Sequence, residues 1–307
     1  MLERNLRSLV DTEDVAAVAR ETVHLLRLMS PGLALAPVKA AFQDMKRLFA
    51  GRCPGWRACN TEYHDVHHTT DTLLAMMRLM HGAFVTGLRF SDADLVAAAL
   101  SAMFHDSGYI QAEDDTEGTG AKYTACHVER SVVFLAGYLK PRDFPADYPA
   151  LTRSLLLCTG LHVDIASIRF APGNAKLLGQ MLGAGDLLGQ MSARTYLEKL
   201  LFLYHEFQEG RIPGFVDEFD MLQKTFAFNE ETRRRLAQEL GGVDRFMRPH
   251  FRARWGVDRD LCAEAIAQNL ESLRGVIAAG PEQYRERLRR DGLVEKLERA
   301  HGRRPPL

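Results

Sequence analysis

His105 and Asp106 stand together at the end of the apolar run Ala99-Leu100-Ser101-Ala102-Met103-Phe104. A carboxylate that close to apolar neighbours is costly unless its charge is paired or bound to a cation. Asp186 has the same character, a single carboxylate inside Met181-Leu182-Gly183-Ala184-Gly185-Asp186-Leu187-Leu188. Imidazoles lie on both sides: His64, His67 and His68 upstream, His127 and His162 downstream. Histidine and aspartate together can hold one or two divalent transition metals, and paired metals recur in the cleavage of phosphate esters.

The spacing leaves several readings open at this point. On a helix, His64 and His68 would share a face one turn apart, as two ligands of one metal or as one ligand and one proton donor. His67 would point about 100° away from His68. His127 begins a segment whose other face is Val128, Val132, Leu135 and Leu139, and His162 ends the apolar run from Leu155 to Leu161. Each of these two alone reads as a hydrogen-bonded core residue rather than a ligand. Gly118-Thr119-Gly120-Ala121-Lys122 offers amides and an ammonium that could meet a phosphate, or a solvated hinge. No glycine-rich nucleotide loop, P-loop or nucleophile-elbow motif is found.

The elements that must carry these residues are helical. Apolar positions recur with a period near 3.6, and strand-like alternation is nearly absent. Thr12-Glu13-Asp14 opens a helix stopped by Ser30-Pro31-Gly32, and Pro37 sits in the first turn of the next, which Gly51 closes. A helix is expected from about His64 to Met80, and Ser91-Asp92-Ala93-Asp94 forms a capping box for the helix ending at His105-Asp106. Ser107–Lys122 reads as a mobile, glycine-rich loop. Further helices are expected over about 123–140, 151–162, 175–191, 194–209, 215–226, 230–246 and 260–279, then a terminal helix and tail. The expectation is a single all-α domain over residues 1–307.

Composition narrows the function classes. The 307 residues carry 39 basic and 40 acidic side chains, a net charge of -1, so no basic excess suggests nucleic acid or an acidic membrane as partner. Five scattered cysteines without a CxxC pair read as reduced thiols. Charges follow the initial Met closely, and no apolar run approaches the ~18–20 residues of a membrane span. A soluble cytoplasmic protein is expected.

The ordered set His68, His105-Asp106, His127, His162, Asp186 resembles the HD superfamily of metal-dependent phosphohydrolases, whose signature is H…HD…D on an all-α core. Tyr63-His64-Asp65-Val66-His67-His68 also resembles the YHNxxHA motif of cyclic nucleotide phosphodiesterases. The resemblance covers about residues 60–210. It implies an HD-like helical bundle with extra N- and C-terminal helices. It also implies two divalent metals (iron, manganese, zinc or magnesium), one held by His68, His105 and Asp186, the other by His127 and His162, with Asp106 bridging. His64 would be the general acid, Lys122 a phosphate contact, and the substrate a small phosphate ester, possibly a nucleotide. The chain departs from the phosphodiesterase pattern at Asp65, where the motif has Asn, and at Tyr109, where HDxxH has its second His. The cyclic di-GMP hydrolases' GYP signature is missing too. Some relatives in the superfamily use the same ligands with iron and dioxygen, so a diiron oxygenase is the rival enzyme class, and a non-catalytic metal-containing ligand sensor is a third reading.

Overall fold

The description rests on a computed structural model and covers residues 5–161, 163–289 and 292–302. Its helices are α1 (Val15–Met29), α2 (Ala36–Phe49), α3 (Val66–Val85), α4 (Asp92–Phe104), α5 (His127–Leu139), α6 (Tyr148–Leu156) and α7 (Ala175–Ser192). They continue with α8 (Tyr196–Glu209), α9 (Glu218–Gln238), α10 (Met247–Trp255), α11 (Leu261–Ala278), α12 (Tyr284–Arg287) and α13 (Leu293–His301). Short 3₁₀ turns join several of them. There is no strand among the described residues, only a lone antiparallel bridge between Trp56 and Ala112. The architecture is the all-α bundle that the periodicity predicts.

The bundle is built around α3, which is buried along nearly all its length from His68 to Ala83 and packs against α1, α4, α7 and α10. Asp65 starts it, its side chain accepting from the His68 amide at 2.9 Å. The most extensive partner of α3 is α7, and glycines make the approach close. A Cβ on Gly185 would sit 3.0 Å from the Met76 amide nitrogen, and one on Gly189 2.9 Å from the Asp71 carbonyl carbon. These positions therefore let backbone meet backbone, and the contact sets Asp186 beside the first turns of α3. α4 begins with the expected capping box, Ser91 and Asp94 bonding each other's backbone amides, and buries every residue from Leu95 to Phe104. That delivers His105 and Asp106 into the interior.

Several element boundaries differ from the sequence expectation. α3 begins at Val66, so His64 lies in the bend ahead of the helix, because Asp65 takes the cap position. α5 begins at His127, since Gly120–Tyr123 form a separate 3₁₀ turn. α9 runs unbroken across the gap expected between 226 and 230, and α10 was not anticipated. Gly241 and Gly242, both at positive φ, end the first of these and let the chain restart. The segment 107–122 is expected to be a mobile loop, and its first residues pack onto α5. Tyr109 and Ile110 are buried, and Gly108 packs so closely that a Cβ would fall 2.8 Å from the His127 carbonyl carbon. Its glycine serves close approach.

Candidate metal centre

Four side chains from three elements converge: His68 from α3, His105 and Asp106 from the end of α4, and Asp186 from α7. His68 Nε2 lies 3.1 Å from Asp106 Oδ2 and 3.2 Å from Asp186 Oδ1. His105 Nε2 lies 3.2 Å from Asp106 Oδ2, 3.7 Å from Asp186 Oδ1 and 3.3 Å from His68 Nε2. His68, His105 and Asp106 are buried and form a group able to hold a metal ion.

The donor chemistry of this cluster fits a cation. His105 Nδ1 is 2.9 Å from the Ala102 carbonyl oxygen, which can only accept, so Nδ1 carries the proton and the neutral ring turns a lone pair on Nε2 to the cluster. Asp106 Oδ2 and Asp186 Oδ1 are both buried, yet neither meets a well-directed hydrogen bond. Electron-rich atoms thus face one another in a site where unpaired charge is expensive. Without a metal, protons must take its place. Burial alone would lower His68, but Asp106 and Asp186 outweigh it and push it up to about 9. His105 is raised well above the ordinary range in the same way, against burial, chiefly by Asp106. Burial would raise Asp106 and Asp186, but the two imidazoles hold both carboxyls down.

His127 stands on the other side of Asp106. Its Nδ1 donates to the Thr124 carbonyl at 2.7 Å, so its Nε2 lone pair faces Asp106 Oδ1, 3.9 Å away. Asp106 therefore offers one oxygen to His68 and His105 and the other toward His127. Burial holds His127 below its usual range, opposed by Asp106. His162 lies outside the described residues. Lys122 is not brought to this cluster by any bond: its ammonium binds Asp115 at 2.5 Å and the Glu117 carbonyl at 2.7 Å.

His64 is held beside the cluster by residues the sequence reading did not single out. Its Nδ1 is 2.6 Å from Glu206 Oε2, on α8. The other Glu206 oxygen accepts from the backbone amides of Glu62 at 2.8 Å and Tyr63 at 2.6 Å, fixing the bend that carries His64. Tyr109 stacks against both imidazoles, 4.2 Å from His64 and 4.6 Å from His127 between ring centroids, while the two imidazoles lie 6.2 Å from each other; its hydroxyl is 3.4 Å from His64 Nε2. Burial, with Asp106 next, raises its pKa well above the ordinary value, so it remains a phenol. Tyr63 donates to Gln190, one turn beyond Asp186 on α7. Glu206 had a sequence signal, a carboxylate within Phe202-Leu203-Tyr204-His205-Glu206-Phe207, of the same kind that drew attention to Asp186. His67 is half-buried, and its Nδ1 has no hydrogen-bond partner.

All five cysteines are free thiols. Among the described residues no helix is long and apolar enough to cross a membrane. No protein-family model matches this chain, and no curated protein matches it in sequence.

Proposed function

We propose that the chain is a metal-dependent phosphohydrolase of the HD type, acting on a small phosphate ester. The observation that carries this reading is that His68 Nε2 and His105 Nε2 each lie 3.1–3.7 Å from both Asp106 Oδ2 and Asp186 Oδ1, with both carboxylate oxygens buried and lacking a directed hydrogen bond. Such a set of nitrogen and oxygen donors suits manganese, iron, zinc or, less well, magnesium. His68, His105, Asp106 and Asp186 would hold one ion, with Asp106 in the shared position that the resemblance implies. A second ion is inferred on the Oδ1 side of Asp106, with His127 as its donor among the described residues. Bound divalent metal supplies Lewis-acid polarisation of the phosphoryl group and a nucleophile at neutral pH.

The protein's own residues supply the rest. Glu206 holds the His64 ring through Nδ1, which leaves Nε2 to exchange a proton with the leaving oxygen of a substrate. Tyr109 fixes the planes of His64 and His127 by stacking. The partial exposure of His127 (21%), Asp186 (15%) and His64 (13%), against 1–4% for His105, Asp106 and His68, leaves the Asp106 Oδ1 and His64 side as the approach for substrate.

The test is metal analysis of anaerobically purified protein together with a panel of phosphomonoesters, phosphodiesters and nucleotides. Metal-dependent release of phosphate or alcohol is the expected result. Dioxygen consumption by the iron-loaded protein, with no ester cleaved by any metal form, would overturn the hydrolase in favour of an oxygenase.

A further inference from the structure

We infer that the cleft between α2 and α5 is a binding site for a planar aromatic anion, an aromatic carboxylate or sulfonate. The cleft has a volume of about 750 Å³, within the range of small-molecule sites. None of the metal-cluster side chains lines it, and the inference rests on nothing in the metal reading. Its walls are Trp56, Phe104, Phe134 and Tyr138, already packed ring on ring: Trp56 meets Phe134 edge to face at 5.2 Å, and Phe104 lies 4.6 Å from Tyr138. Val133, 73% exposed, extends the apolar surface to the rim. Such a surface favours a flat apolar ligand.

The charges select the sign. Asp44 is neutralised within the cleft, accepting from Arg142 and from the Tyr138 hydroxyl, each at 3.0 Å. Arg130 spends its hydrogen bonds on the Gly108 and Ile110 carbonyls and lies over the Tyr123 ring at 3.5 Å, and no carboxylate among the described residues pairs with it. Arg47 reaches Asp44 only at 4.0 Å and is more than half exposed. Against these two cations stands Glu129.

Gly137 provides the independent observation. It lies in the last turn of α5 with no positive φ, and a Cβ there would meet nothing within 4 Å. Neither backbone conformation nor a neighbouring element calls for a glycine. The cleft does, because Gly137 lines it and any large side chain would occupy it.

The probes are 1-anilinonaphthalene-8-sulfonate and the same ring system without the acid, N-phenyl-1-naphthylamine, titrated by fluorescence against the folded full chain. Saturable one-to-one binding of the sulfonate is expected. Gly137→Phe should weaken both probes by about tenfold or more, a loss of ~1.4 kcal/mol per decade, with helicity and Tm unchanged. Arg47→Gln should weaken the sulfonate by about tenfold and leave the neutral probe unchanged, because it removes only the charge interaction. Val133→Glu, at an exposed rim position, should repel the sulfonate alone and serves if Gly137→Phe does not fold. Absence of saturable binding, full affinity in folded Gly137→Phe, or equal affinity for the sulfonate in Arg47→Gln and Val133→Glu would overturn the inference.

Discussion

Gly108 and Gly137 should respond to alanine with opposite signs. At Gly108 an added Cβ would lie 2.8 Å from the His127 carbonyl carbon and 2.9 Å from Arg130 Cβ, and closer still to the His127 carbonyl oxygen. Carbon atoms settle at about 3.5–4.0 Å, so the 107–109 turn and the start of α5 must part by roughly an ångström. Backbone on both sides means that no side chain can swing away. Overpacking of this kind costs about 1–3 kcal/mol. The parting also strains two hydrogen bonds, from the Gly108 amide to Ser131 Oγ at 2.8 Å and from Arg130 Nε to the Gly108 carbonyl at 2.7 Å. At about 1 kcal/mol each, the total for Gly108→Ala comes to about 3–5 kcal/mol. Gly137→Ala meets open space and removes the entropic penalty of a helical glycine, so it should stabilise by ~0.5–1 kcal/mol. Urea unfolding followed by circular dichroism in the presence of a chelator measures both without any contribution from bound metal. A cost below about 1 kcal/mol for Gly108→Ala would refute the close packing on which the placement of His127 depends, and destabilisation by Gly137→Ala would refute the open space at that helix position.

The remaining predictions concern the site and its surroundings. Asp106→Ala should lose bound metal and the thermal stabilisation that metal gives, because it removes an oxygen facing both imidazole groups; full retention of metal by mass analysis would remove Asp106 from the centre. His64→Ala should keep its metal yet lose roughly 10²–10⁴-fold in rate, and Glu206→Gln should show the same signature more mildly, with the loss shrinking for nitrophenyl esters that need little protonation. A loss uniform across leaving groups would refute the acid role, whereas His67→Ala should be mild. Away from the centre, burial first and Arg254 next hold His81 down to about 4, where it faces His250 with Nδ1 atoms 3.2 Å apart. The unfolded chain takes up that proton near pH 6.5 and the folded chain does not until about 4, so stability is complete above 6.5 and declines as pH falls through this window. The shift corresponds to roughly 3 kcal/mol, reduced to about 2 by solvent screening. Urea unfolding from pH 7.5 to 5 should show the decline in the parent protein and a smaller one in His81→Gln; equal slopes would disprove the assignment.

What could be read in advance follows from which interactions are local. Helical periodicity is local, so the bundle and the burial of α4 were legible, and so was the incongruity of Asp106 and Asp186 among apolar residues. The position of His64 was not, because periodicity extends a helix through it while the cap chemistry of Asp65 starts the helix two residues later. The unbroken α9 and the unexpected α10 turn on Gly241-Gly242, whose positive φ values are set by the whole chain's path. The role of Gly185 and Gly189 in α7 lies in their approach to α3, which only the tertiary packing brings against them. Glu206 could have been noticed as a buried carboxylate, but its partner lies 142 positions away, and only tertiary packing pairs them.

The two departures from the motif it resembles acquire physical reasons in the structure. Asp65 does what an Asn could do as a cap, and its charge is used as well: Lys199 on α8 binds Asp65 Oδ1 at 2.7 Å and the Tyr63 carbonyl at 3.1 Å. Burial would raise the Asp65 carboxyl, but Lys199 holds it down, so the pair stays ionised. Two helical turns along the same helix, Glu206 binds His64 and the amides of Glu62 and Tyr63. α8 therefore grips the bend from both ends, with a cation at its C-terminal side and a carboxylate at its N-terminal side. Tyr109, where HDxxH has its second His, gives His64 and His127 a shared ring to stack on. The His64 imidazole is thus located by Glu206 and by stacking rather than by its own helix. A neutral Lys199→Met change should then loosen His64 without touching any atom of the metal cluster, reducing rate for esters of poor leaving groups while metal content stays constant. Loss of metal in that variant would show that the bend and the cluster are one unit rather than two.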